Sequence, residues 1–265
     1  DKYKNEFFFT RSDWILFFLA KKNYKIIFEC HQYSKVRNYV FKKVASRDNV
    51  KIIFLNEFIK KEFKNIVSEN IILHSGVDPE IFDTLTDNKK IKNKISFVGS
   101  LLRFGKERSL DTVIKAFSSP KLKDYQLSIV GGPDTEVEKI RKVLSDKNIS
   151  NIVITGRLQR NEVVKELQTS SVGLLINSPD KHSKYFTSPL KYFEYLASGL
   201  KVVAVDYPSH RVLPNQENIF YFQNDENSLI ESVKEAFDSE FKEINLEKIS
   251  LNSRAKNIIE LFESF

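Results

Sequence analysis

The chain has 265 residues, 41% of them hydrophobic and 29% charged, enough apolar material for two domains or one large one, which excludes a disordered or low-complexity polypeptide. Its only cysteine, Cys30, excludes an internal disulfide and a cysteine-based zinc site, as expected in a reducing compartment. The net charge of +7 arises wholly in residues 1–94, which carry 19 Lys/Arg against 12 Asp/Glu, while residues 95–265 carry 23 of each; such a one-sided field suits an anionic lipid surface or plain solvation, and the lack of any nucleic-acid module sets nucleic acid aside.

Residues 6–10 read as a strand, 13–22 as a short helix and 24–30 (Y-K-I-I-F-E-C) as a second strand. Helical spacing returns at 35–46, strand-like residues at 50–55, a helix at 58–66 and a strand at 70–74. This alternation implies a parallel sheet with helices on both faces. A half of this kind usually takes about 150 residues and opens with a glycine-rich turn, so residues 1–78 read as a partial domain, either a fragment of a longer chain or an unusually small unit. No signal peptide is visible, and the apolar stretch 14–20 is too short to span a bilayer. A cytoplasmic protein, peripheral to the inner face of a membrane at most, is expected.

S-G-V-D-P at 75–79 leads into a polar run without periodicity, and 79–94 is read as an interdomain linker. Beyond it strands are expected at 95–98, 126–130, 151–155, 172–177, 201–206 and 218–222, with helices between them and a further helix at 226–237. This is a doubly wound domain spanning 95–240. The tail 241–265 holds one more helix, placed to pack back towards the first domain.

In an open parallel sheet the ligand crevice lies outside the carboxyl ends of the strands, so the residues after each strand are informative. They are Gly99-Ser100-Leu101-Leu102-Arg103-Phe104-Gly105-Lys106-Glu107-Arg108, with three cations in six residues, then Gly131-Gly132-Pro133, Gly156-Arg157-Leu158, and the loop leading to Ser188. All four suit an anionic nucleotide, although glycine also follows strands for reasons of turn geometry. The stretch 186–206, F-T-S-P-L-K-Y-F-E-Y-L-A-S-G-L-K-V-V-A-V-D, reads as a helix and a buried strand: Ser188 as N-cap, Pro189 at the first helical position, Gly199 as the stop. With small Thr187 and Ser188 before it, the helix leaves free N–H groups and a positive dipole end for a phosphate. An ordinary capped helix is the alternative.

F-V-G-S-L with its downstream cations, S-I-V-G-G-P, I-T-G-R-L followed by N-E-V, H-S-G-V-D-P-E-I-F and above all T-S-P-L-K-Y-F-E-Y-L-A-S-G-L-K-V-V-A-V-D resemble the nucleotide-sugar domain of retaining glycosyltransferases of family 4. The likeness covers 71–240, while 8–70 match through F-T-R and F-E-C-H. It implies a GT-B architecture, α/β with two Rossmann-like domains and parallel sheets, the N-terminal one truncated or reduced. It also implies retaining transfer from a nucleotide diphosphate sugar to a glycan, lipid-linked or protein acceptor, with no metal and no cofactor; no Asp-x-Asp motif occurs in the chain.

The resemblance assigns Glu194 to the ribose hydroxyls and the backbone around Thr187, Ser188, Pro189, Leu190 and Lys191 to the diphosphate. A first-loop cation joins them: Lys106 by residue type, Arg108 by count from Asp111, or Arg103. Ser100 stands at the family's arginine position, and Phe186 replaces a sugar-binding glutamate. Gly99, Gly131, Gly132, Gly156, Arg157 and Leu158 complete the donor side. His31 resembles the family's cleft histidine. Two residues apart at a strand end, Glu29 and His31 point to one face and Cys30 to the other, and Arg11 is placed to reach the same cleft. The competing class is a non-catalytic nucleotide-sugar-binding subunit, or a fragment needing a partner segment. A membrane-docking surface is expected where Lys21, Lys22, Lys42, Lys43, Lys60 and Lys61 lie beside Phe17, Phe18, Phe41 and Phe63.

Overall fold

The computed structural model describes residues 6–64, 66, 68–83, 89–103 and 105–265; residues 84–88 of the expected linker, Phe104 of the first loop and residue 65 of the helix expected at 58–66 lie outside them. The N-terminal sheet holds four parallel strands, β1 (Phe7–Thr10), β2 (Lys25–Cys30), β3 (Val50–Phe54) and β4 (Asn70–Ile72), adjacent in chain order. Between them run α1 (Asp13–Lys21), α2 (Lys35–Val44) and α3 (Glu57–Lys61). β2 and β3 are covered on both faces, which is why they read as continuous apolar runs. α3 ends earlier than expected. Its cap, Asn56, accepts the Ile59 N–H through Oδ1 and donates Nδ2 to the carbonyls of Tyr185 and Thr187, so it also ties the two halves together.

The second half contains α4 (Glu80–Asp83), β5 (Lys94–Val98), a hairpin of β6 (Leu102–Arg103) and β7 (Lys106–Glu107), α5 (Leu110–Phe117), β8 (Gln126–Val130), α6 (Asp134–Asp146), β9 (Ile152–Gly156), α7 (Arg160–Gln168) and β10 (Val172–Leu175). It continues through α8 (Lys181–Tyr185), α9 (Leu190–Ala197), β11 (Lys201–Val205), α10 (Pro208–Arg211), β12 (Ile219–Phe222), α11 (Glu226–Asp238) and α12 (Leu251–Glu263). Six strands pair in parallel in the order β12-β11-β10-β5-β8-β9. The chain steps outward from β5 to β9 and then returns to β10 on the other side of β5. The order reverses between β5 and β10, and a crevice opens at their carboxyl ends.

Within the expected linker range, α4 forms a helical turn and Lys94 already belongs to β5. Lys90 is anchored: its Nζ donates to the carbonyls of Ser170 (2.8 Å) and Gly199 (3.2 Å), and burial lowers its pKa to about 8. Just before that range, Val77 exchanges backbone bonds with the Ile249–Leu251 turn (Val77 N to Ile249 O 3.0 Å, Leu251 N to Val77 O 2.7 Å). Ser250 then caps α12 through the Ser253 N–H at 2.9 Å. α12 crosses to the N-terminal sheet, where Leu261 packs on Ile27 and Ile53 and Phe262 meets Phe7 at 5.2 Å between ring centroids.

Two expectations require correction. Ser188 is not the cap of α9, whose N-cap is Pro189 without a side-chain bond; the Ser188 hydroxyl instead accepts the Ser75 N–H at 2.8 Å. Phe41 and Phe63 belong to the N-terminal core, their ring centroids 4.6 Å apart, and are not available to a membrane. Exposed apolar side chains of this half include Phe7 and Phe9 on β1, whose outer edge has no strand partner among the described residues, and Trp14, Ile15 and Phe18 on α1. Among the described residues no helix is long and apolar enough to cross a membrane.

Candidate active site

The loops at the crevice are stitched to one another. Gly99 N–H donates to Val130 O (2.8 Å), Leu101 N–H to Gly132 O (2.9 Å) and Gly131 N–H to Gly156 O (2.8 Å). Gly131 has φ +152°, and a Cβ there would stand 1.8 Å from the Gly99 carbonyl oxygen, so glycine is required by loop-on-loop approach. A Cβ on Gly132 would meet the Arg157 side chain. Arg157 itself is exposed, and Leu158 packs partly on the core beneath α9. The Gly99 and Gly131 N–H groups are thus committed within the protein. Ser100 donates to the Leu102 carbonyl from an exposed position.

The three first-loop cations have different fates. Lys106 is exposed in the small hairpin. Glu107 bends back to accept the N–H groups of Ser109 (2.9 Å) and Leu110, capping α5 while Ser109 turns through φ +63°. That turn directs Arg108 inward. Arg108 is half-buried, and its Nε has no hydrogen-bond partner among the described residues. Arg103 spans the crevice to Asn177 Oδ1 at 3.3 Å, in the loop after β10. Behind them lies Lys191, from the first turn of α9. Its Nζ is buried without a hydrogen-bond partner among the described residues, 4.2 Å from the Phe97 ring centroid.

These cations disfavour one another's charge. Burial lowers the Arg103 and Arg108 pKa values, and Arg103 depresses Arg108 further. Lys191 is lowered well below the ordinary lysine value, by burial first and then by Arg108, against the opposing pull of Glu194. Asp180, near Arg103, is occupied as the cap of α8, where it accepts the Ser183 N–H (3.0 Å) and the hydroxyls of Ser178 (2.6 Å) and Ser183 (2.9 Å). α8 forms within the stretch that reads in the sequence as the loop leading to Ser188.

Glu194, on α9, accepts Arg160 Nη1 at 2.7 Å; Arg160 opens α7 and its guanidinium lies over Phe82. Thr187 is buried, its hydroxyl bonded to Ser183 O and Ser209. Leu190 is exposed at the mouth of a cleft of about 390 Å³ that separates the two halves. This cleft gathers Arg103, His182, Phe186 and Ser188 on the C-terminal side and Arg11, Glu29 and His31 on the N-terminal side. Gly99, Gly131, Gly156 and Glu194 do not line it.

The N-terminal wall is built on Glu29, which is 1% exposed. Its Oε2 lies 2.5 Å from Arg11 and 2.9 Å from His31 Nε2, and its Oε1 bonds Arg254. Burial alone would raise its pKa; the His31 contact and the Arg254 charge outweigh burial and lower it to about 2. Cys30, facing the core, is pushed up to about 12 by burial. Arg254, on α12, and Arg160 were not singled out in the sequence, since each reaches its carboxylate across a long stretch of chain. No spacing rule could have found them.

Residues 92–239 match the family model described as glycosyl transferases group 1. No curated protein sequence matches the chain. Among solved structures the chain is similar to a glycosyltransferase from Rickettsia africae ESF-5, with a TM-score of 0.72 and 15% identity over 99% of this chain and 77% of that one. It is also similar to Anabaena HepE in complex with UDP-glucose, with a TM-score of 0.69 and 12% identity over 98% and 79% of the two chains. A third is the lipopolysaccharide outer core galactosyltransferase WaaB, with a TM-score of 0.70 and 11% identity over 100% and 77%. At these identities the likeness establishes the fold, which is GT-B. With more than half of its residues matching the family model, the chain belongs to the glycosyl transferases of group 1.

Proposed function

We infer that this chain transfers a sugar, with retention at the anomeric carbon and without a metal ion, from a nucleotide diphosphate sugar bound at the β5/β10 crevice. The observation that carries this reading is the crowding of Arg103, Arg108 and Lys191 at the switch point of a doubly wound sheet, two of them with buried nitrogen atoms lacking any partner among the described residues. A buried cationic nitrogen without a hydrogen-bond acceptor is costly unless an anion completes the site. Cleaving the anomeric C–O bond leaves negative charge on the diphosphate, so cations and the uncapped first turn of α9 placed there lower the barrier. Glu194 takes the ribose hydroxyls and gives up Arg160 in doing so. His31 borders the transferred sugar.

The acceptor is a glycan, lipid-linked or protein molecule entering the 390 Å³ cleft. Peripheral docking on an anionic bilayer is assigned to the exposed aromatics of α1, Trp14 and Phe18, with Lys21 and Lys22 beside them. The test of the reaction class is release or transfer of isotope-labelled sugar from UDP- and GDP-sugars, with the product anomer identified by proton NMR. Retained configuration supports the reading. An inverted product, or donor binding without any release even to water, would favour inversion or the non-catalytic alternative.

A further inference from the structure

Glu29 is surrounded by more positive charge than it neutralises. Three elements converge on one carboxylate: Arg11 follows β1, His31 follows β2, and Arg254 comes from α12. Register places them there, because Thr10 pairs with Phe28 and so brings Arg11 beside Glu29. Even with His31 neutral, two guanidiniums share a single negative charge. Each is held by only part of its hydrogen-bonding edge. Arg11 commits Nε and Nη2 to Glu29 Oε2, and Arg254 commits Nη2 to Oε1 and Nε to the His74 carbonyl, at 3.0 Å. The Nη1 group of each has no hydrogen bond among the described residues. Both arginines line the cleft, with the Arg11 side chain 62% exposed at its rim and that of Arg254 15% exposed.

The opposite wall of the same cleft is also basic, through Arg103. One nucleoside diphosphate satisfies that wall and leaves the Glu29 wall with an uncompensated charge. Guanidinium groups fixed by a buried carboxylate are preorganised to receive an oxyanion with two hydrogen bonds. We propose that Arg11 and Arg254, held by Glu29, form an oxyanion subsite for a phosphate or carboxylate carried by the acceptor, so that the enzyme glycosylates an anionic sugar in preference to a neutral one. This rests on the donor reading for the opposite wall. Glu29 is a positioning residue in the subsite and makes no contact with the ligand's anion.

The experiment is calorimetric titration of glucose 6-phosphate, glucuronate and glucose into the 265-residue chain, without nucleotide and then saturated with whichever of UDP or GDP binds. The two charged probes separate a phosphate source from a carboxylate source. At least one of them is expected to bind about ten-fold or more tightly than glucose, with nucleotide present as well as absent. Arg11→Ala, at a side chain 62% exposed, should remove that preference and leave nucleotide affinity unchanged, whereas Arg11→Lys should retain part of it. Arg108→Ala should do the reverse of Arg11→Ala.

Equal binding of all three probes, equal preference in Arg11→Ala, or displacement of the charged probe by UDP or GDP would overturn the subsite. Should neither nucleotide bind, the donor reading fails by itself. The nucleotide-free titration of parent and Arg11→Ala then decides the subsite independently.

Discussion

Lys191 and Gly99 interlock: a Cβ on Gly99, whose φ is +145°, would stand 2.2 Å from Lys191 Nζ, so the lysine tip lies in space that only a glycine leaves open. The ammonium is packed over Phe97 with no hydrogen-bond acceptor among the described residues. Such a group destabilises the folded chain and is retained where a ligand needs its charge. Lys191→Met should therefore raise unfolding stability by about 1–3 kcal/mol while weakening nucleotide binding. Chemical denaturation and calorimetry on the same variant check the two signs.

The same lysine sets a pH dependence. Its folded pKa lies well below the unfolded value of 10.5, so the unfolded chain binds the extra proton between those two values. Stability contributed at this position should rise with pH across that window and be lost as pH falls through the folded pKa. Thermal melts of parent and Lys191→Met should converge at alkaline pH. A constant difference would show that Lys191 titrates normally.

Arg108 and Lys106 separate by environment. Arg108→Ala should lower turnover by about a hundred-fold, the cost of removing one group that stabilises developing charge, whereas Lys106→Ala, at an exposed hairpin position, should change it little. Steady-state assays on both variants with one donor are sufficient. A large loss in Lys106→Ala alone would return the role to the residue favoured by type.

Much of this architecture was legible because buried parallel strands are short apolar runs: Gln126–Val130 and Lys201–Val205 stand out by composition alone. Side-chain roles were less so. Ser188 has the sequence of an N-cap, yet the Ser75 backbone, from the other half, claims its hydroxyl. The different settings of Lys106, exposed, and Arg108, half-buried, turn on Glu107 capping α5 and on a left-handed Ser109, neither of which propensity reveals. The Glu29 cluster was half visible, as Glu29, His31 and Arg11 near strand ends. Its third cation, Arg254, depends on where α12 docks.

The exposed aromatics of α1 make a separate prediction. Each basic residue at an anionic surface contributes about 1 kcal/mol, so Lys21 and Lys22 with Trp14 and Phe18 should give salt-sensitive pelleting with vesicles containing anionic lipid and none with neutral vesicles. Equal pelleting with both, or none with either at low salt, would direct the acceptor search to soluble glycans.

We propose that a nucleoside diphosphate is held between the switch-point cations and Glu194. Calorimetry with UDP and GDP on the parent, Glu194→Ala and Arg108→Ala tests it most directly. The account predicts that one of the two nucleotides binds the parent, that Glu194→Ala loses about 1.5–3 kcal/mol of that affinity as expected for a hydrogen bond to a charged group, and that Arg108→Ala loses diphosphate affinity but not affinity for the free nucleoside. Unchanged affinity in both variants, or no binding of either nucleotide to the parent, would contradict it.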